Sequence, residues 1–152
     1  MNTGMITNWY TKVSKDISLI PECIKHFEAE FQQAKKECSI WGNLEKASAS
    51  MPGVVEHRLN QLQELEAILE YLNIEYRRLR SKTFKKFLEN YNKKLSSRDA
   101  DKYVDGDADV VDLAKIINEF ALIRNGYLGI TKGLDQKPVS YTHLTLPTIL
   151  LV

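Results

Sequence analysis

Val54 to Leu95 reads VVEHRLNQLQELEAILEYLNIEYRRLRSKTFKKFLENYNKKL, a run without proline or glycine. Leu62, Leu65, Leu69, Leu72, Tyr76 and Leu79 recur at alternating spacings of three and four, which places them on one face of a helix. Phe84, Leu88, Tyr91 and Leu95 extend the stripe, shifted slightly around the axis. The spacing predicts one helix of about 40 residues, roughly 60 Å long. That length exceeds the usual span of a small domain, so a coiled-coil-like arm or a bundle shared between subunits is expected.

Upstream, a first short helix is expected from about Thr7 to Leu19, and Pro21 suits the first turn of a second, where its missing N–H is not needed. Ile24, Phe27, Phe31, Ala34, Cys38 and Trp41 supply the apolar stripe of that second helix. Gly42 ends it, and Asn43 to Gly53, with Ser48, Ser50, Pro52 and Gly53, reads as a connecting loop. Downstream, Ser96 or Ser97 can cap a short helix over Ser97 to Ala100. A last amphipathic helix starts near Asp107 or Asp109 with Leu113, Ile116, Phe120, Ile123, Tyr127 and Ile130 on one face, and Gly133 is its expected stop. No segment before Val139 alternates with period two, so the fold class is all-α: a helical bundle with one long coiled-coil-like helix, then a short helix, then a C-terminal amphipathic helix.

The chain has 152 residues, 43% apolar and 27% charged, which fits one globular domain and excludes a disordered or disulfide-stapled chain. The texture changes at Val139. Residues Val139 to Val152 (VSYTHLTLPTILLV) contain no Asp, Glu, Lys or Arg. Back-translated, Val139 to Thr148 resembles a transposase adapter used in shotgun sequencing libraries; the alternative is a β-prone C-terminal strand. The expected organisation is therefore a single all-α domain over 1–138, continuing natively past about Lys137, with an adapter-derived tail over 139–152.

Charge is segregated along the chain. Between Arg77 and Arg98 the basic residues are Arg77, Arg78, Arg80, Lys82, Lys85, Lys86, Lys93, Lys94 and Arg98, against Glu89 alone. That window carries +8, and since the whole chain is +1 the remainder is −7. Asp99 to Asp112 supplies six acids against Lys102. A basic helical stretch interleaved with Phe84, Phe87 and Tyr91 can neutralise phosphates while an aromatic stacks on a base. A solvated helix face whose aromatics belong to the core is the competing reading.

Other constellations carry less. Asp105-Gly106-Asp107-Ala108-Asp109 lacks the Gly and Glu that a calcium loop needs at its sixth and twelfth positions, where Val110 and Ile116 stand; it reads as a turn with a helix cap. Cys23 and Cys38 match no zinc or redox spacing, and His26 and His57 lie on separate expected helices. Glu64, Glu66 and Glu70 read as the exposed side of the long helix. With no nucleophile elbow, phosphate loop or metal-ligand spacing, no enzymatic activity, cofactor or metal is expected. The N-terminus shows no secretory signal and no stretch is apolar enough to span a membrane, so a cytoplasmic location with no membrane partner is expected.

Arg77-Arg78-Leu79-Arg80, then Leu95-Ser96-Ser97-Arg98-Asp99, then Asp107 to Asp112 before the final helix, resemble the UvsY-type recombination mediators of tailed phages. The resemblance spans roughly Val54 to Lys137 and leaves Met1 to Pro52 outside it. It implies a non-enzymatic protein of the host bacterial cytoplasm that binds single-stranded DNA, contacts the single-strand-binding protein, helps load a RecA-type recombinase and works as a homo-oligomer. It also implies that the basic cluster centred on Arg77, Arg78 and Arg80 contacts DNA. The alternative function is a phage virion structural or assembly protein, a helical scaffold whose basic block docks on a neighbour's acidic block.

Overall fold

The computed structural model describes the backbone over 3–40, 44–90 and 95–151, and side chains over 9–37, 53–90 and 95–132. Among these residues every regular element is helical: α1 Thr3–Lys15, a 3-10 turn Ile17–Leu19, α2 Ile20–Ile40, α3 Leu44–Asn90, α4 Ser97–Asp105 and α5 Ala108–Leu151. The all-α expectation holds. So does the long helix, at 47 residues or roughly 70 Å, although α5, at 44 residues, is nearly as long.

Helix α3 is the spine: α1, α4 and α5 pack along it, while α2 packs chiefly on α5 and reaches α3 through long polar side chains. Contacts of α1 run parallel to it, from Trp9 beside Glu64 to Ser14 beside Tyr71. Helix α2 runs antiparallel, with Glu30 meeting Gln61 and Glu37 meeting Arg58. So does α5, from Tyr127 at Gln61 to Val110 near Tyr76. The long helix, expected as a coiled-coil-like arm or part of a bundle shared between subunits, is largely clothed by its own chain, because its apolar stripe finds partners in α1 and α5.

The core lies where those stripes converge. Val13, Phe27, Leu65, Ile68, Leu72 and Phe120 are fully buried there. Phe27 meets both Phe120 and Tyr127 edge-on, with centroids 6.5 Å apart in each pair, a geometry that adds to area burial alone. Leu62, Leu69, Ile24, Ala34 and Ile123 from the anticipated stripes are also buried. Tyr76 and Leu79 are half-buried, while Leu88 faces solvent; Cys38, Trp41 and Tyr91 lie outside the described side chains.

Several expected boundaries move. Residues 44–53, expected as loop, belong to α3, because Leu44-Glu45-Lys46-Ala47 is a run of strong helix formers and Pro52 removes one backbone donor without ending the helix. Helix α5 passes through Gly133 to Leu151; a lone glycine in a helix costs only about 1 kcal/mol against alanine. The first expected helix divides at Asp16, whose carboxylate accepts from the Ser18 amide and caps the 3-10 turn. The short helix is longer than expected, reaching Asp105, with Ser96 Oγ accepting from the Asp99 amide as its cap. Asp107 caps α5 by accepting from the Asp109 and Val110 amides at 3.1 and 3.3 Å. The side chains of the expected adapter tail, 139–152, lie outside the described residues.

Candidate nucleic-acid interface

Seven of the nine cations expected to hold a polyanion fall within the described residues; Lys93 and Lys94 lie outside them. On α3 the 100° advance per residue brings Arg78, Lys82, Lys85 and Lys86 into an arc roughly 100° wide. All four are exposed. Arg77 is exposed too, but it lies about 80° round the helix from Lys85 and so outside this arc. Arg98 is exposed at the start of α4.

Arg80 is placed differently. It turns onto the flank covered by α4, where its Nη1 donates to Asp105 Oδ1, and its guanidinium lies 5.8 Å from the Tyr76 ring centroid. Its side chain is 29% exposed, and the hydrogen bonds to Asp105 and Tyr76 hold it more firmly protonated. The stagger of the helix explains the split: Arg80 lies about 140° or more from Lys85 and Lys82, so the tight sequence cluster is not one spatial cluster.

Acids partly neutralise the face. Arg77 has Glu70 at 3.9 Å, Arg78 has Glu75 at 3.4 Å, and Lys85 has Glu89 at 4.0 Å. These pairs are solvent-exposed or half-exposed and contribute little to stability, so they leave the cations free to change partners. Lys82, Lys86 and Arg98 make no ion pair among the described residues.

Of the three aromatics interleaved with the cations, Phe84 and Phe87 serve the fold and Tyr91 lies outside the described residues. Phe84 and Phe87 are half-buried, and Phe87 leans over Tyr103 of α4 with centroids 5.6 Å apart. The acidic block is likewise accounted for in large part: Asp105 holds Arg80, Asp107 caps α5, and Asp99 and Asp109 occupy first helical turns, where negative charge is favoured.

A second polar cluster lies inside the bundle and was not expected. Arg58 is 2% exposed. It donates from Nε and Nη2 to the two carboxylate oxygens of Glu37 at 2.8 and 2.7 Å, and from Nη1 to Gln61 Oε1 at 2.7 Å and Glu30 Oε1 at 3.3 Å. Gln61 Nε2 donates to Glu30 at 2.6 Å, and the Tyr127 hydroxyl donates to Gln61 Oε1 at 2.7 Å. Burial pushes the Glu30 carboxyl upward, but the Gln61 amide and the charges of Arg58, His26 and His57 outweigh it and leave Glu30 below its ordinary value. The signal was present in the sequence: Arg58 stands four and seven residues before Leu62 and Leu65, on the stripe that becomes core.

Glu64 is also a correction. Expected on the exposed side, it is 6% exposed and accepts from the Trp9 amide at 2.7 Å and the Tyr10 amide at 3.4 Å. Burial raises its carboxyl pKa despite those bonds. Burial, with Glu64 adding to it, also pushes the Cys23 thiol up to about 12. Glu66 and Glu70 are exposed as expected.

Among the described residues no group of His, Cys, Asp or Glu is arranged to hold a metal ion, and no helix is long and apolar enough to cross a membrane. No family model, no curated protein and no solved structure matches the chain.

Proposed function

We propose that the chain is a non-enzymatic mediator that binds single-stranded DNA on the exposed face of α3, and that it helps load a RecA-type recombinase onto DNA coated by single-strand-binding protein. One observation carries the DNA-binding part: Arg78, Lys82, Lys85 and Lys86 share an exposed arc, with Lys82 and Lys86 in no ion pair among the described residues. Spaced along about 12 Å of helix, four cations can follow a flexible phosphate backbone. The recombinase-loading part rests on the sequence resemblance.

Sequence-independent contact through phosphates is the mode this surface suits, because Phe84 and Phe87 are half-buried in the fold rather than available as stacking platforms. Arg80 belongs to the α3–α4 joint in this reading, and Arg77, about 80° round the helix from Lys85, lies outside the four-cation arc.

The test is fluorescence anisotropy of a labelled oligonucleotide with wild-type protein and with Lys82→Glu/Lys86→Glu. Wild-type affinity should fall steeply with salt, and the variant should bind at least about tenfold more weakly. Equal binding by both proteins removes the site; no binding by either, combined with salt-sensitive self-association, favours the virion scaffold alternative.

A further inference from the structure

Three large apolar side chains face solvent on α3: Leu59, Ile74 and Leu88, at 40%, 42% and 43% exposure. They are 15 and 14 residues apart, about four helical turns in each case, so they stand in one line. Gln63, Glu66, Glu70, Arg77, Ser81 and Lys85 fall in the same line, and all six are exposed. From Leu59 to Leu88 the steps run 4, 3, 4, 4, 3, 4, 4, 3, the repeat of a straight helix, within an arc roughly 100° wide. Such a line is a continuous helix face, apolar at three of its nine positions and charged at four, and none of the described residues buries it.

The charge along this face is polarised about Ile74. Glu66 and Glu70 precede it; Arg77 and Lys85 follow it. A copy laid parallel in register would set like charges against like. An antiparallel copy centred on Ile74 does the reverse. Leu59 then meets Leu88 of the second copy, Glu70 meets Arg77, Glu66 meets Ser81 with Lys82 beside it, and Gln63 meets Lys85. The two Ile74 side chains meet at the axis. No like charges face each other along about 44 Å of helix.

We propose that this face of α3 closes on a second copy of the chain as an antiparallel, two-fold symmetric dimer. The symmetry makes the patch self-complementary, as an isologous interface requires, and charge complementarity selects another copy of this chain as the occupant. The Glu70–Arg77 contact within one chain is no obstacle: at 3.9 Å, with both side chains about two-thirds exposed, it is weak. Because the two-fold axis is perpendicular to the plane of the helix pair, the rims carrying Arg78, Lys82 and Lys86 of both copies emerge on the same side of the dimer. The interface does not require DNA binding, but in the dimer Lys85 lies in the contact and Lys82 stands beside Glu66 of the second copy, which leaves Arg78 and Lys86 as the cations of the basic arc outside it.

Sedimentation velocity of the full chain at about 50 mM and about 500 mM salt tests it, with circular dichroism as the check on helix content. The wild type should be a dimer at low salt. Glu66→Lys/Glu70→Lys and Arg77→Glu/Lys82→Glu should each raise the dimer dissociation constant about tenfold or more, and mixing the two variants in equal amounts should restore the dimer, since every reversed pair again meets its opposite. Ile74→Arg, which sets two cations together at the axis, should be monomeric. A wild type that is monomeric at low salt, an assembly indifferent to these substitutions, or a mixture no more dimeric than its parts overturns the proposal. A normal dimer that binds no oligonucleotide would remove the DNA reading and leave this one intact.

Discussion

Arg58 joins three helices through one guanidinium, and its removal leaves two carboxylates facing each other in a partly dry site. Arg58→Ala should therefore cost about 3–5 kcal/mol in denaturant unfolding, the range for breaking a buried pair from one side. Glu30→Gln/Glu37→Gln in the same background should recover much of that stability, because the stranded charges are then gone. The network also sets a pH dependence. Glu30 titrates below its ordinary value in the folded chain, so its ionisation contributes stability that is fully present above the ordinary glutamate range and is lost as pH falls through the lower folded value. The stability difference between wild type and Glu30→Gln, measured from neutral to acid pH, should shrink on acidification; Glu64, raised by burial, acts with the opposite sign but is common to both proteins. Cys23, fully buried with its thiol pushed up to about 12, should resist alkylation near neutral pH and react only on unfolding, as peptide mapping can follow. At this scale the sequence was legible for caps and core positions, since Ser96 and Asp107 are capping residue types standing directly before helical runs. Arg58 could be placed on the core stripe by its spacing, but neither its partners nor those of Glu64 were legible, because such polar groups are satisfied by residues far away in the chain.

At the scale of elements, helix identity came from periodicity and survived, whereas several ends did not. Glycine and proline mark a boundary only when the flanking residues also favour leaving the helix, and around Pro52 they do not. Gly126 shows a different use. A Cβ built there would stand 2.6 Å from Phe31 Cζ, so the glycine lets α5 approach α2 at the point where Phe31 also leans over Tyr127. Gly126→Ala should be destabilising by about 1–3 kcal/mol through overpacking, less the gain of roughly 1 kcal/mol in helix propensity. Phe31→Leu in the same chain should reverse part of that destabilisation in thermal melts. The joint between α3 and α4 depends on Arg80 and Asp105 together with the Phe87–Tyr103 contact, which explains why an arginine inside the basic run is withdrawn from it.

For the whole molecule, a net charge of +1 conceals an exposed basic arc on α3 and an acidic stretch spent mostly on caps and on Arg80. The sequence located the charge but not its direction, because the direction depends on which face of α3 the other helices cover. That cover also decides which stripe of α3 remains outside, and so connects the DNA-binding reading with the proposed dimer. The most direct measurement is oligonucleotide affinity against salt for three proteins: wild type, Lys82→Glu/Lys86→Glu and Arg80→Glu. A basic arc that holds phosphates predicts a linear log-log dependence whose slope flattens by about 0.7 for each phosphate that the lysine variant no longer neutralises, with the Arg80 variant keeping close to the wild-type slope. A lysine variant with the wild-type slope, or an Arg80 variant that alone abolishes binding, would contradict it.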